Sequence, residues 1–211
     1  MTEISIAYCS SHAPMMAAAR DSAEEQQRNR FFGALEIIRD DARRAGVQAC
    51  VVLSNEHFTN FFLENFPQIC VGVGERNWGP TEAWLPISKA WIPGHPGLAQ
   101  HITRSLLNVG LDRVALVGAG GLSHFIGVPR VGDIDEEFDR WFLDVLERGD
   151  IDAVLDLPDS ELELAGNGAH EIRSWLAVAG ACAPIRSQTM AYEPIYPWIT
   201  GMGVSRFLPV S

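Results

Sequence analysis

Apolar and polar positions along this chain switch repeatedly between a period of two and a period near 3.6, and the switches divide it into strands and helices. Ile4 to Cys9 alternates and then runs apolar, as a strand entering a core does, and Ser10 to Asp21 reads as loop. Ala23 to Ala45 predicts a long helix with Phe31, Phe32, Leu35, Ile37 and Ile38 inward, ended by Gly46. Ala49 to Leu53 and Ile69 to Val73 are short buried strands. Gly74 to Gly94 is rich in Trp, Pro and Gly, and is read as a packed loop near the site, with Trp78, Trp84 and Trp91 screening it. Pro96 to Val109 is helical, and Arg113 to Val117 is a strand closing on Gly118-Ala119-Gly120-Gly121. Ile134 to Arg148 is an amphipathic helix with Phe138, Trp141, Phe142 and Val145 on one face. Helices at Ile151 to Leu164 and Ala169 to Ala181 follow, the latter capped by Asn167. Gln188 to Tyr192 and Met202 to Leu208 alternate as strands. Strands interleaved with helices predict one three-layer α/β/α domain, residues 1–211, around a central mixed sheet.

Three of the apolar runs stop at a histidine in a tight polar turn: His12 in Cys-Ser-Ser-His-Ala-Pro, His57 in Ser-Asn-Glu-His-Phe and His124 in Gly-Gly-Leu-Ser-His-Phe. Glu171, in Gly-Asn-Gly-Ala-His-Glu, opens a later helix. Strand ends of an α/β sheet are where such folds place ligands, and these four groups together suit one metal ion. Two neutral imidazoles and a carboxylate leave about three positions open on six-coordinate Fe(II), room for a chelating substrate and O₂. Taken singly, each histidine has a plainer reading as a hydrogen-bonding turn residue. His95 caps a helix start, and His101 reads as surface. His170 points about 100° away from Glu171 around the helix, which leaves Glu171 the better ligand. Glu56 is placed either to orient His57 or in solvent. The glycines at 118–121 do not make a dinucleotide loop, because the G-x-G-x-x-G spacing fails at Ser123. Arg130 and Arg173 are candidates for a substrate carboxylate, with a surface role as the competing reading.

A length of 211 residues suits one well-filled domain, and 47% hydrophobic against 20% charged residues argues against disorder. The net charge of -11 has no locally basic cluster to reverse it, which disfavours nucleic acid and anionic membranes as partners. The N-terminus enters a strand pattern with no basic region or signal-length apolar block, so a cytoplasmic location is expected. Cys9, Cys50, Cys70 and Cys182 show no C-x-x-C spacing and read as buried thiols.

At these residues the chain resembles the class III extradiol ring-cleavage dioxygenases, of the type of the catalytic β subunit of protocatechuate 4,5-dioxygenase. The resemblance runs from Ile4 through Phe207. It rests on Ser-His-x-Pro at Ser11 to Pro14, Asn55-Glu56-His57, Ile-Pro-Gly-His-Pro at Ile92 to Pro96 and Gly-Gly-Leu-Ser-His at Gly120 to His124. Gly166 to Glu171, Tyr192, Trp198 and Thr-Gly-Met-Gly at Thr200 to Gly203 extend it. Carried over, it implies Fe(II) held by His12, His57 and Glu171, with His124 as acid/base, an aromatic diol and O₂ as substrates, and a ring-opened semialdehyde acid as product.

One departure stands out: Asn108-Val109-Gly110-Leu111-Asp112 runs almost directly into Arg113-Val114-Ala115, where family members carry further units that include an Asp-His-Gly motif. The domain is therefore read as shortened near Asp112. Either the domain closes over the gap, or self-association or a small partner subunit covers it, or the shortened chain retains a metal site without efficient turnover. Two functions follow: an active ring-opening dioxygenase, or a catalytically silent relative that serves as a metal-binding or interaction subunit. A zinc hydrolase on the same scaffold is weaker, because nothing supplies a nucleophile.

Overall fold

The computed structural model describes residues 3–55, 70–104, 113–184 and 186–207. In chain order its elements are strand β1 (Glu3–Ser10), helices α1 (Pro14–Ala18) and α2 (Glu25–Arg44), and strands β2 (Ala49–Leu53), β3 (Arg76–Gly79) and β4 (Ala90–Pro93). Helix α3 (Pro96–Arg104), strand β5 (Arg113–Ala119) and helices α4 (Glu136–Arg148), α5 (Asp152–Leu155), α6 (Asp159–Leu162) and α7 (Ile172–Cys182) follow, then strands β6 (Ser187–Ile195) and β7 (Thr200–Phe207). Five strands form one sheet in the order β2-β5-β1-β7-β6. β5 runs parallel to both β1 and β2, whereas β7 is antiparallel to β1 and β6, so the sheet is mixed as expected.

Alternation along β1 decides which layer lies on which face. Ile6 and Tyr8, with Ala115 of β5, meet Ile38 and Ala42 of α2 and Ala45 just past its end. Ala7 and Cys9 point to the other face and join Leu116, Phe142 of α4 and Trp175 and Val178 of α7. Helices therefore cover both faces, which gives the three layers. The α2 layer continues through Phe31, whose ring stands edge-on to Trp198 with centroids 6.1 Å apart. No helix among the described residues is long and apolar enough to cross a membrane.

Several expectations need correction. The stretch read as loop after Ser10 contains α1, which Pro14 opens because its fixed φ suits a first helical turn. Cys70 to Val73 form no strand, and Ile69 lies outside the described residues. The expected packed loop at Gly74 to Gly94 is built around the antiparallel pair β3 and β4, with Trp78 opposite Trp91. Trp78, Trp84 and Trp91 are all exposed, so cross-strand ring contact takes the place of burial. The helix read at Ile151 to Leu164 is broken into α5 and α6 at Pro158, which removes a backbone donor and fixes the extended conformation before α6. Ile37 is exposed beside buried Phe31 and Ala34. Cys50 and Cys70 are exposed, while Cys9 and Cys182 are buried as expected.

Candidate active site

The three parallel strands end at one edge of the sheet. Ser10 of β1 pairs with Ala119 of β5, and Leu53 of β2 pairs with Gly118 of β5. Chains leaving that edge lead to His12 two residues beyond β1, to Gly120-Gly121 and then His124 beyond β5, and toward His57 beyond β2. His57 and Glu56 lie outside the described residues. Among the described residues, no group of three or more His, Cys, Asp or Glu side chains gathers as a metal cluster.

The turn before His12 is locked by its neighbour. Ser11, buried, donates its hydroxyl to the Gly201 carbonyl (3.0 Å) and accepts from the Gly203 amide (2.8 Å). The Ser11 amide donates to the Gly203 carbonyl, so three hydrogen bonds tie the exit of β1 to β7.

His124 and Glu171, both 5% exposed, are brought together from segments 47 positions apart. His124 Nε2 lies 3.9 Å from Glu171 Oε1. The other carboxylate oxygen, Oε2, accepts the Gly121 amide at 2.6 Å. His124 Nδ1 lies 2.7 Å from the Leu122 carbonyl oxygen. A carbonyl can only accept, so Nδ1 carries a proton, and in the neutral imidazole Nε2, on the Glu171 side, presents the lone pair. Glycines make the approach possible. A Cβ on Gly120 would stand 2.8 Å from Glu171 Cβ, and one on Gly168 would overlap the His124 ring. Gly166, at φ +123°, has no room for a Cβ beside the His124 carbonyl.

Asn167, expected as a helix cap, does something else. Its side-chain oxygen accepts the Ile126 amide and its nitrogen donates to the Ile126 carbonyl, both at 2.8 Å. The amide thus mimics a strand partner and fastens the segment after His124 to the turn that leads to Glu171. That turn is a short 3-10 helix, Ala169–Glu171, running directly into α7.

A carboxylate that sequence reading did not single out lies behind His124. Asp139 of α4 is 0% exposed; its Oδ1 accepts the Ser123 amide at 2.7 Å and its Oδ2 the Tyr192 hydroxyl at 2.9 Å. Burial pushes its carboxyl up to about 7, against which the hydrogen bonds from Ser123 and Tyr192 pull down. The signal in the sequence was an acidic residue on the apolar face of an amphipathic helix, one position after Phe138 and three before Phe142.

The remaining candidates have local partners. His95 Nδ1 accepts the Leu98 amide at 3.0 Å, the expected cap. His170 reaches Glu163 (3.8 Å) and not the His124 side of Glu171. His101's side chain is outside the described residues. Arg130 lies over the Phe125 ring (3.9 Å) and pairs with Asp133, and Arg173 pairs with Asp159, so both sit in surface ion pairs.

Comparison with known proteins adds lineage. The family profile described as the catalytic LigB subunit of aromatic ring-opening dioxygenase matches residues 6–115 and 110–203. A relative from Paraburkholderia xenovorans named 2,3-dihydroxyphenylpropionate/2,3-dihydroxicinnamic acid 1,2-dioxygenase is 35% identical over 103 residues, 47% of this chain and 33% of that protein. Its namesake from Burkholderia vietnamiensis is 40% identical over 81 residues, 36% of this chain and 26% of its own length. Each of these matches spans a third or less of the relative. A namesake from Escherichia coli O81 is 23% identical over 305 aligned residues, covering 93% of this chain and 96% of its own. An alignment of 305 positions exceeds the 211 residues available here, so a long stretch of that relative faces no residue of this chain.

Proposed function

This chain belongs to the family of catalytic LigB subunits of aromatic ring-opening dioxygenases, and from that premise we propose that it is a non-haem Fe(II)-dependent extradiol dioxygenase that opens a catecholic ring with O₂. The observation that carries the reading is the buried pair of His124 and Glu171, with Nε2 at 3.9 Å from the carboxylate and Nδ1 committed to a backbone carbonyl. One group is poised as a base and the other as an anionic oxygen donor. The donor chemistry of His12, His57 and Glu171 suits Fe(II), and these three would hold it. When bound, the ion supplies Lewis acidity that favours ionisation of a chelating hydroxyl, and a position for O₂.

His124 then has a defined task. Nε2 accepts the proton of the second substrate hydroxyl, the imidazolium keeps its Nδ1–H on the Leu122 carbonyl, and the same nitrogen returns the proton to the leaving oxygen as the ring opens. Both atoms of O₂ enter the product, a semialdehyde acid. The relatives' names specify a catechol with an acidic side chain, and that compound belongs in the first panel of substrates. We place the protein in the cytoplasm, as a homo-oligomer or with a small partner subunit covering a domain shortened near Asp112.

Anaerobic reconstitution with Fe(II), followed by a catechol panel, tests the proposal through oxygen uptake and a coloured product. His124→Phe is expected to keep its iron while turnover falls about 10²–10⁴-fold, the usual worth of a general acid/base; loss of iron would reverse the role. A second reading, a catalytically silent relative, draws support from the two profile matches meeting at 110–115, next to the junction at Asp112. One iron per chain with no oxygen uptake on any catechol would favour it.

A further inference from the structure

We propose that Asp139 is the positioning residue for His124 and acts through a single peptide group, the one joining Leu122 to Ser123. The inference rests on the acid/base reading of His124. The carbonyl of this peptide accepts from His124 Nδ1 and its amide donates to Asp139 Oδ1, each at 2.7 Å. The carbonyl and the amide belong to one planar, conjugated unit. Above about pH 7, where this carboxyl ionises, negative charge on Asp139 polarises the amide, enriches the carbonyl oxygen and strengthens the bond that fixes Nδ1–H. The result is a carboxylate–peptide–imidazole chain, in which the carboxylate does for the imidazole across one peptide what a directly bonded aspartate does in a hydrolase triad.

Three observations separate this from a purely structural carboxylate. Both bonds lie at the short end of the N–H···O range, where charge-assisted bonds fall. The turn has other anchors: Leu122 N to the Gly201 carbonyl, Gly201 N to the Ser123 carbonyl, and the Ser123 hydroxyl bonded to both backbone groups of Asp135. Asp139 is not needed merely to shape it. Finally, a neutral asparagine would satisfy the Ser123 amide without the cost of burying a charge, and among the described residues no Lys, Arg or His pairs with Asp139 to offset that cost. The carboxyl sits where only Gly201 leaves room, since a Cβ there would overlap Oδ2.

The test is Asp139→Asn, read in two ways. At pH 8, where Asp139 is ionised, in iron-free protein labelled with ¹⁵N-histidine, the His124 Nδ1–H proton should move upfield and the Nδ1–H tautomer should lose population. In Fe(II)-loaded protein, kcat should fall roughly 10–100-fold, as for other outer partners of a functional group, with KM held within about twofold. An unmoved Nδ1–H signal, with or without a loss of rate, overturns the relay. Asp139→Ser, which removes the charge with less bulk, carries the same test where Asp139→Asn does not fold. His124→Phe is run alongside: if it turns over like the parent, the acid/base reading fails, whereas a dead His124→Phe beside an unchanged Asp139→Asn sinks the relay alone.

Discussion

Asp139 and Glu171 are buried carboxylates on either side of one histidine, and they meet burial differently. Glu171 Oε2 is met by a backbone amide in a glycine turn, whereas Asp139 is met by the amide and side chain of Ser123 and by the Tyr192 hydroxyl. The raised Asp139 carboxyl links stability to pH. An unfolded aspartate ionises near 3.8, while the folded one holds its proton to about 7. Its contribution to stability is thus fully present below pH 3.8 and is lost as pH rises to about 7. Asp139→Asn does not titrate, so its stability relative to the parent, read from thermal unfolding, should climb across that window and then level, by an amount on the order of a few kcal/mol. A flat difference between pH 4 and 8 would refute the shift. The same variant is expected to be slower, a trade of stability for activity. His12→Ala should lose iron, read as metal content after anaerobic reconstitution; full retention would remove His12 from the ligand set.

At the scale of elements, the segment Gly166-Asn167-Gly168 joins the histidine loop to the start of α7. Gly168→Ala would force a methyl into the His124 ring, so a loss of about 1–3 kcal/mol, the range for overpacking, is expected in denaturant unfolding, along with reduced turnover. Unchanged stability would mean that the turn yields. Local signals were legible where local physics decides. Ala49 to Leu53 is a strand as read, although its side chains alternate between half-buried and exposed where burial is expected, and α2 ends beside Gly46. They misled where a distant partner competes. Asn167 looks like a cap, yet its amide is taken by Ile126, 41 positions away. Pro158 splits the helical pattern because its missing donor and fixed φ outweigh the apolar periodicity around it. Trp78 and Trp91, expected in a packed loop near the site, are exposed and face each other across a pair of antiparallel strands.

Across the molecule, the sheet draws its parallel strands from residues 3–10, 49–53 and 113–119 and its antiparallel pair from 187–207. Such pairing is non-local and slow to form. Ser11 bonds to Gly201 and Gly203, so the last strand also shapes the turn before His12. Removing residues 187–211 is expected to abolish both cooperative melting, followed by circular dichroism, and iron binding; a truncated chain that still melts cooperatively would contradict this. The positions of His12 and His124 just beyond β1 and β5 were readable, because apolar runs ending in histidine mark the edge where parallel strands finish. The link from Asp139 was not, because it passes through backbone atoms, which sequence does not distinguish. A last consequence concerns shelf life. Asn167 precedes Gly168, a pair prone to deamidate when the glycine nitrogen attacks the side-chain amide. Here that nitrogen donates to the His124 carbonyl, and both ends of the amide are bonded to Ile126. The folded protein therefore shields this chemical clock, which starts only on unfolding; each ageing event replaces a donor to the Ile126 carbonyl with a negative charge, so heat damage accumulates irreversibly.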